Sequence, residues 1–294
     1  MSHSPVFRKG SAAASTRENN HNGKTMKIRT ALILFTAMLL YGQLYGKESP
    51  ASGAYLKKRD AVIAKFNGIK PAVFSQWAPG VKTRINTTEK VAALTLDACG
   101  GRKGNGYDKE LIDFLRENKI PASLFMTALW IDANRELSVE LSRDPLFEIE
   151  NHGYRHKPAS VNGRLIYGKR GTKTPGDLFD EIELNAEKIQ ALTGKRPLFY
   201  RPGTAYFDDV AVKLCRDLNH IPMNFSVISG DAAGFSAARI ERRILSQVKP
   251  GSVIIAHMNH PGNRLCPAMK RSLLKLKAEG YRFVKLSEYK ERLK

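Results

Sequence analysis

The chain has 294 residues, 42% of them hydrophobic, enough apolar material for one large core or two small ones and too much for a disordered chain. Its 48 Lys and Arg against 28 Asp and Glu leave a net charge of +20, which favours anionic partners. Nucleic acid is the least expected of those partners, because the leader read below gives the chain an exported address and no RNA-binding aromatic signature or helix-turn-helix pattern is present. The three cysteines include no Cys-x-x-Cys pair, so a zinc ribbon or thioredoxin site is excluded.

The first 25 residues, rich in Ser, Asn, His and Lys, carry no periodicity. Met26-Lys27-Ile28-Arg29 then gives a basic start, 31–41 an apolar run and Leu44-Tyr45-Gly46 a small-residue exit. Residues 1–46 therefore read as a signal-peptide region with its start at Met26; the apolar run is short for a membrane span. The expectation is an exported protein, periplasmic or secreted, without a stable membrane span after cleavage; an uncleaved amphipathic anchor is the alternative. The remainder keeps 42 basic against 27 acidic residues, a net +15. Acidic polysaccharides and wall polymers suit that charge in an exported protein.

Residues 47–88 read as an N-terminal extension, with a helix over 54–66 followed by Pro71, Pro79 and Gly80 as breakers. From 89 to 294 the rhythm changes to that of a catalytic domain. Short apolar runs at 91–96, 121–126, 146–149, 197–200, 221–228, 252–256 and 281–286 alternate with helical periods at 109–118, 134–142, 177–192, 208–218, 237–248 and 265–278. In 177–192, Leu178, Ile182, Ile189 and Leu192 recur near helical spacing. Strands alternating with helices predict an α/β fold with a parallel sheet and right-handed crossovers. At this length the economical closure is a distorted (β/α) barrel of seven to eight parallel strands. A doubly wound open sheet is the runner-up, but no Gly-x-Gly-x-x-Gly turn follows any strand.

Polar residues fall where these strands end: Asp97, His152, Arg201, Asp231 and His257. Each has an ordinary structural explanation alone: Asp97 as a helix cap, Arg201 and Asp231 as an ion pair, His257 as a buried hydrogen-bonded imidazole. Together, on the C-terminal rim of a parallel barrel, they mark an active site. His152 and His156, four apart, can aim two imidazoles at one metal ion.

The order Thr95-Leu96-Asp97, His152-x-x-x-His156, Arg201-Pro202, Asp231 and then 251–257, ending in His257, resembles the successive motifs of the polysaccharide deacetylases, the NodB-homology or carbohydrate esterase family four group. The resemblance covers roughly 88–290. It implies Asp97 as catalytic base, Arg201 as its holder, His257 as general acid and Asp231 as the carboxylate orienting it. It implies His152 and His156 as ligands of a divalent metal, usually zinc, and the N–H of Thr204 as an oxyanion donor. Ile255 would line the pocket for the acetyl methyl group. Asn259, His260 and Arg264 on the following loop are further candidates for substrate, and Tyr154, Tyr206 and Trp130 for sugar stacking. The implied activity is metal-assisted removal of acetyl groups from N-acetylated, or O-acetylated, sugars of a polysaccharide such as peptidoglycan.

Three departures stand out. Ala98 occupies the place of the second Asp, the family's carboxylate ligand; Gly203 follows Arg201-Pro202 where a second proline is common; Phe235 replaces a frequent tryptophan. Asp97 joining the two histidines as ligand, Cys99 supplying a thiolate, or the histidines acting with water alone would each repair the first. Residues 97 and 99 of an extended strand share a face, and thiolate suits zinc; a plain buried thiol or a bridge to Cys266 are the other readings of Cys99. Two rival functions remain: a metal-independent C–N hydrolase of a small cyclic amide, and a degenerate, non-catalytic glycan-binding protein. Oligomeric state is not legible in the sequence.

Overall fold

The computed structural model describes residues 52–294, so the signal-peptide reading of 1–46 lies outside the described residues. Residues 53–294 form one compact unit. In chain order it contains α1 (Gly53–Phe66), β1 (Phe74–Ser75), β2 (Val91–Ala98), α2 (Lys109–Glu117), β3 (Ala122–Met126), α3 (Ala128–Ala133), α4 (Arg135–Arg143) and β4 (Phe147–Asn151). A hairpin of β5 (Leu165–Ile166) and β6 (Lys169–Arg170) precedes α5 (Pro175–Thr193). Then come β7 (Phe199–Tyr200), β8 (Phe207–Asp208), α6 (Asp209–Asp217), β9 (Ile221–Pro222), β10 (Val227–Ile228), α7 (Ala237–Gln247), β11 (Ser252–His257), α8 (Leu265–Ala278) and β12 (Arg282–Val284).

The helices start where the sequence supplies side-chain caps. Asp108 accepts the N–H of Leu111 at 3.0 Å, and Thr174 that of Asp177 at 3.0 Å with Pro175 in the first turn of α5. Gly194 closes α5 at φ 74°, a left-handed cap open to glycine without strain.

The main sheet has eight strands, all paired in parallel, in the order β10-β11-β2-β3-β4-β7-β9. β12 lies beside Val91 to Ala93 of β2, while β3 pairs with its second half, Thr95 to Ala98. Every residue of β2 is buried, as a parallel strand covered on both faces requires. Alternation sorts its side chains into two layers. Val91 and Ala93 face inward with Phe125, Phe199, Val253 and Ile255. Ala92, Leu94, Leu96 and Ala98 face outward, against Leu111 of α2, Ile240 of α7 and Leu273 of α8. The architecture is the distorted parallel α/β barrel that the strand–helix alternation predicts.

The single strand expected over 221–228 is two short ones, and the reason is chemical. Between β9 and β10 the carbonyls of Met223 and Asn224 accept Arg201 Nε at 3.1 Å and Nη2 at 3.0 Å, so this stretch serves the guanidinium rather than a ladder. β9 and β10 are thereby the two open ends of the sheet. The segment before β2 occupies this seam: Lys82 bridges to Met223, Arg84 to Ser252 and Ile85 to Leu293, with Ile85 fully buried among the inward-facing side chains. α1 packs on α5 through Arg59 Nε to Asp180 at 2.9 Å and Lys58 to Glu183 at 3.1 Å. Among the described residues no helix is long and apolar enough to cross a membrane.

Candidate active site and metal centre

Parity on β2 carries Thr95 and Asp97 up the inner face, and the ladder sets His257, the last residue of β11, directly beside Asp97. Asp97 is almost wholly buried. Its Oδ1 accepts Arg201 Nη1 at 2.6 Å, and Nη1 also donates to Thr95 Oγ1 at 3.0 Å. Arg201 is completely buried, with its guanidinium 4.1 Å from the ring centroid of Phe125 and 5.6 Å from that of Phe225. Burial lowers its pKa, and Asp97 opposes that loss. Two oppositely charged groups that are each expensive to bury therefore depend on one another.

His152 follows β4. Its Nδ1 donates to the carbonyl of Arg201 at 2.7 Å, which leaves Nε2 as the free lone pair, 3.6 Å from Asp97 Oδ2 and 3.8 Å from Cys99 Sγ. An imidazole oriented by a backbone carbonyl through one nitrogen and open at the other is the usual state of a metal-ligating histidine. The rings of His152 and His156 lie 4.8 Å apart, edge to face. Cys99, His152 and His156 each offer a ligand atom, and all three atoms lie within 4.8 Å of one another. Among the described residues, Cys99, His152 and His156 are thus a set that could hold a metal. Asp97, expected among the ligands, has Oδ1 bonded to Arg201 and Oδ2 3.6 Å from His152 Nε2. A thiolate with two imidazoles fits a borderline-soft divalent ion such as zinc.

The loop carrying both histidines is shaped by a residue the strand-end pattern did not single out. Glu181 on α5 is buried, and its Oε1 accepts the N–H of Arg155 at 2.9 Å and of Lys157 at 3.0 Å, on either side of His156. Burial pushes its carboxyl up to about 7. Asn151 also serves the loop, accepting the N–H of Gly153 and the amide of Asn185. Both lie in positions that read as helix face and strand interior, so only the folded loop reveals their task.

On the other side, His257 Nδ1 meets Asp231 Oδ2 at 3.0 Å, and Ser229 Oγ donates to Asp231 Oδ1 at 2.6 Å. Burial opposes charging of His257, but Asp231 and the neighbouring Cys99 outweigh it and hold the imidazolium well above its usual range. Thr204 sits in the turn after Arg201-Pro202-Gly203 at φ 68°, rare for a β-branched residue, with Ala205 at 59°. Asn224 and Gln76 hold that turn by bonds to the carbonyls of Ala205 at 2.8 Å and Thr204 at 3.1 Å. Gly203 is obligatory here: a Cβ at this position would stand 2.0 Å from the carbonyl oxygen of His156.

Ile255 is buried in the inner layer directly below His257. Tyr206 is half-buried, its ring 5.3 Å from Phe74 and 5.8 Å from Tyr167 on the β5–β6 hairpin. Three candidates change role. Asn259 is buried, and its amide donates to the carbonyl of Gly104 at 2.9 Å, so it ties down the 100–104 loop. Trp130 is fully buried, with Nε1 bonded to Gly106, so it serves the core and not sugar stacking. Cys266 lies in the outer apolar layer with α8, away from the inner face where Cys99 sits, so no bridge forms and all three cysteines are free. His260 and Arg264 are exposed.

A family model described as polysaccharide deacetylase matches residues 84–222, the segment that carries Asp97, both histidines and Arg201. The matched segment resembles the polysaccharide deacetylase family. This is a family of hydrolases acting on non-peptide carbon–nitrogen bonds of acetylated sugars. The chain is 20% identical to the uncharacterized protein YlxY of Bacillus subtilis, over 74% of this chain and 62% of that one. It is 24% identical to a peptidoglycan-N-acetylglucosamine deacetylase of Bacillus cereus, over 75% of this chain and 94% of that one. It is 25% identical to the peptidoglycan-N-acetylmuramic acid deacetylase PdaA of Bacillus subtilis, over 69% and 72%. The fold matches that of a family four pseudoenzyme from Bacillus anthracis with a TM-score of 0.61 and 20% identity, over 72% of this chain and 69% of that one.

Proposed function

We propose that this protein is an exported, metal-assisted deacetylase that hydrolyses N-acetyl groups on the sugars of a peptidoglycan-type polysaccharide. The observation that carries the reading is the meeting, at one mouth of the barrel, of an Arg-held carboxylate, a carboxylate-held imidazolium and a metal-competent cluster. The strongly basic composition suits an anionic wall polymer.

A divalent ion held by His152 and His156 would supply Lewis-acid polarisation and a hydroxide nucleophile at neutral pH. Asp97 takes the proton of the attacking water. Its Oδ1 is committed to Arg201, so Oδ2 is the accepting oxygen. The water oxygen bonds to the acetyl carbon, and the N–H of Thr204 stabilises the charge on the carbonyl oxygen. His257, with Nδ1 held by Asp231, delivers a proton from Nε2 to the sugar nitrogen as the C–N bond breaks, giving acetate and a free amine. Ile255 excludes water beside the acetyl methyl group, and Tyr206 offers a ring to the sugar.

The test is acetate release from peptidoglycan by the full-length protein. Asp97→Asn should retain the fold and lose roughly 10²–10⁴-fold in kcat, the usual worth of a general base, and a chelator should abolish turnover. Turnover that survives the chelator would favour the cyclic-amide hydrolase. The resemblance to a pseudoenzyme fold and the loss of the second Asp favour a second reading, a glycan-binding protein without turnover; glycan binding with no acetate release would establish it.

A further inference from the structure

We propose that the Cys99 thiolate is the third protein ligand of the metal, taking over from the carboxylate that the chain lacks at position 98, and that it makes the site select thiophilic ions. This rests on the metal-assisted reading above. It also differs from the expectation that Asp97 completes the ligand set.

The backbone shows how position 99 comes to face the histidines. β2 runs through Ala98, which pairs with Met126 and is fully buried on the outward layer among apolar side chains. The next residue returns to the inner face occupied by Thr95 and Asp97. Its main chain is clamped there: Thr127 Oγ1 donates to the Cys99 carbonyl at 2.9 Å, and Thr127 N to that of Ala98 at 3.1 Å. The chain then turns sharply through Gly100 and Gly101, both at positive φ. A Cβ at Gly100 would fall 2.6 Å from the backbone nitrogen of Trp130, so this path admits only glycine. The sulfur is left 3.8 Å from the one free nitrogen of His152 and in the triad whose ligand atoms span no more than 4.8 Å. Hard ions such as magnesium demand oxygen ligands, whereas zinc and cobalt accept thiolate with imidazole.

The full-length protein, stripped by chelator and reloaded with one equivalent of zinc, should show in X-ray absorption one sulfur at about 2.3 Å and two imidazole nitrogens at about 2.0–2.1 Å. Loading with cobalt should give a thiolate-to-metal charge-transfer band. Cys99→Ser should abolish both sulfur signals. It should also weaken zinc by more than the roughly 10–100-fold that loss of an outer-shell partner costs. Cys99→Asp should restore zinc binding without a sulfur shell and narrow the preference over manganese. Circular dichroism and melting temperature check that the variants fold.

A zinc shell of nitrogen and oxygen alone, or unchanged zinc affinity in Cys99→Ser, overturns the proposal and leaves the deacetylase reading standing. Chelator-resistant turnover that Cys99→Ser abolishes, with a trapped acyl thioester, overturns it as well, since the thiolate is then a nucleophile. Sulfur-ligated zinc without acetate release on any peptidoglycan supports the ligand and overturns the deacetylase reading instead.

Discussion

Arg201 shows how much a single buried side chain organises. It clamps the Asp97 carboxylate, draws two carbonyls out of the sheet between β9 and β10, and offers its own carbonyl to orient His152. Glu181 does comparable work for His156, and it titrates. In the folded chain its carboxyl stands at about 7 against an ordinary 4.5, so folding favours its protonated form. That contribution is complete below about 4.5 and is lost as pH rises through about 7, on the order of 3 kcal/mol over the window. Glu181→Gln keeps an oxygen for both backbone N–H groups and removes the titration. Relative to this variant, the wild-type melting temperature should fall between pH 4.5 and 7.5, and parallel curves would refute the assignment. Asp97, His257 and the histidine pair are readable in the sequence because polar residues ending apolar runs are conspicuous. Glu181 and Asn151 are not, since nothing local distinguishes a buried polar residue with a loop to hold from one on a solvated face.

At the level of elements, β2 matters most, because its parity assigns 97 and 99 to the pocket and 98 to the apolar layer. Ala98→Asp, the substitution that would recreate the family's double aspartate, should therefore fail to add a ligand. It places a carboxylate among Leu96, Met126 and Trp130, so the melting temperature should drop and zinc affinity should not rise. A tighter metal with unchanged stability would show that the strand shifts register to present position 98. The helices from α1 through α8 largely follow apolar periodicity and caps. α3 is the exception: at six residues, behind the Thr127 cap, it is too short to show a period. The β5–β6 hairpin is likewise two residues a side, below the length at which alternation is visible.

On the scale of the whole molecule, the sheet is an open path whose two end strands are bridged by the chain around Asn224 and covered by 82–85. Ile85, within what reads as an extension, is fully buried against the inner layer. Ile85→Ala should cost about 2–5 kcal/mol in denaturant melts, as for other deep aliphatic truncations; a loss below about 0.5 kcal/mol, typical of surface sites, would show that the segment only decorates the barrel. What the sequence determined by itself was the α/β alternation, the parallel barrel and the strand-end polar residues, because hydrophobic periodicity and strand parity are local and repeat. Which of those residues touch, that Cys99 lies in one cluster with the histidines, that Asn259 and Trp130 are buried, and that Ile85 packs against the inner layer were decided only by the tertiary structure. Those facts depend on contacts between segments far apart in the chain, where no local pattern records the partner.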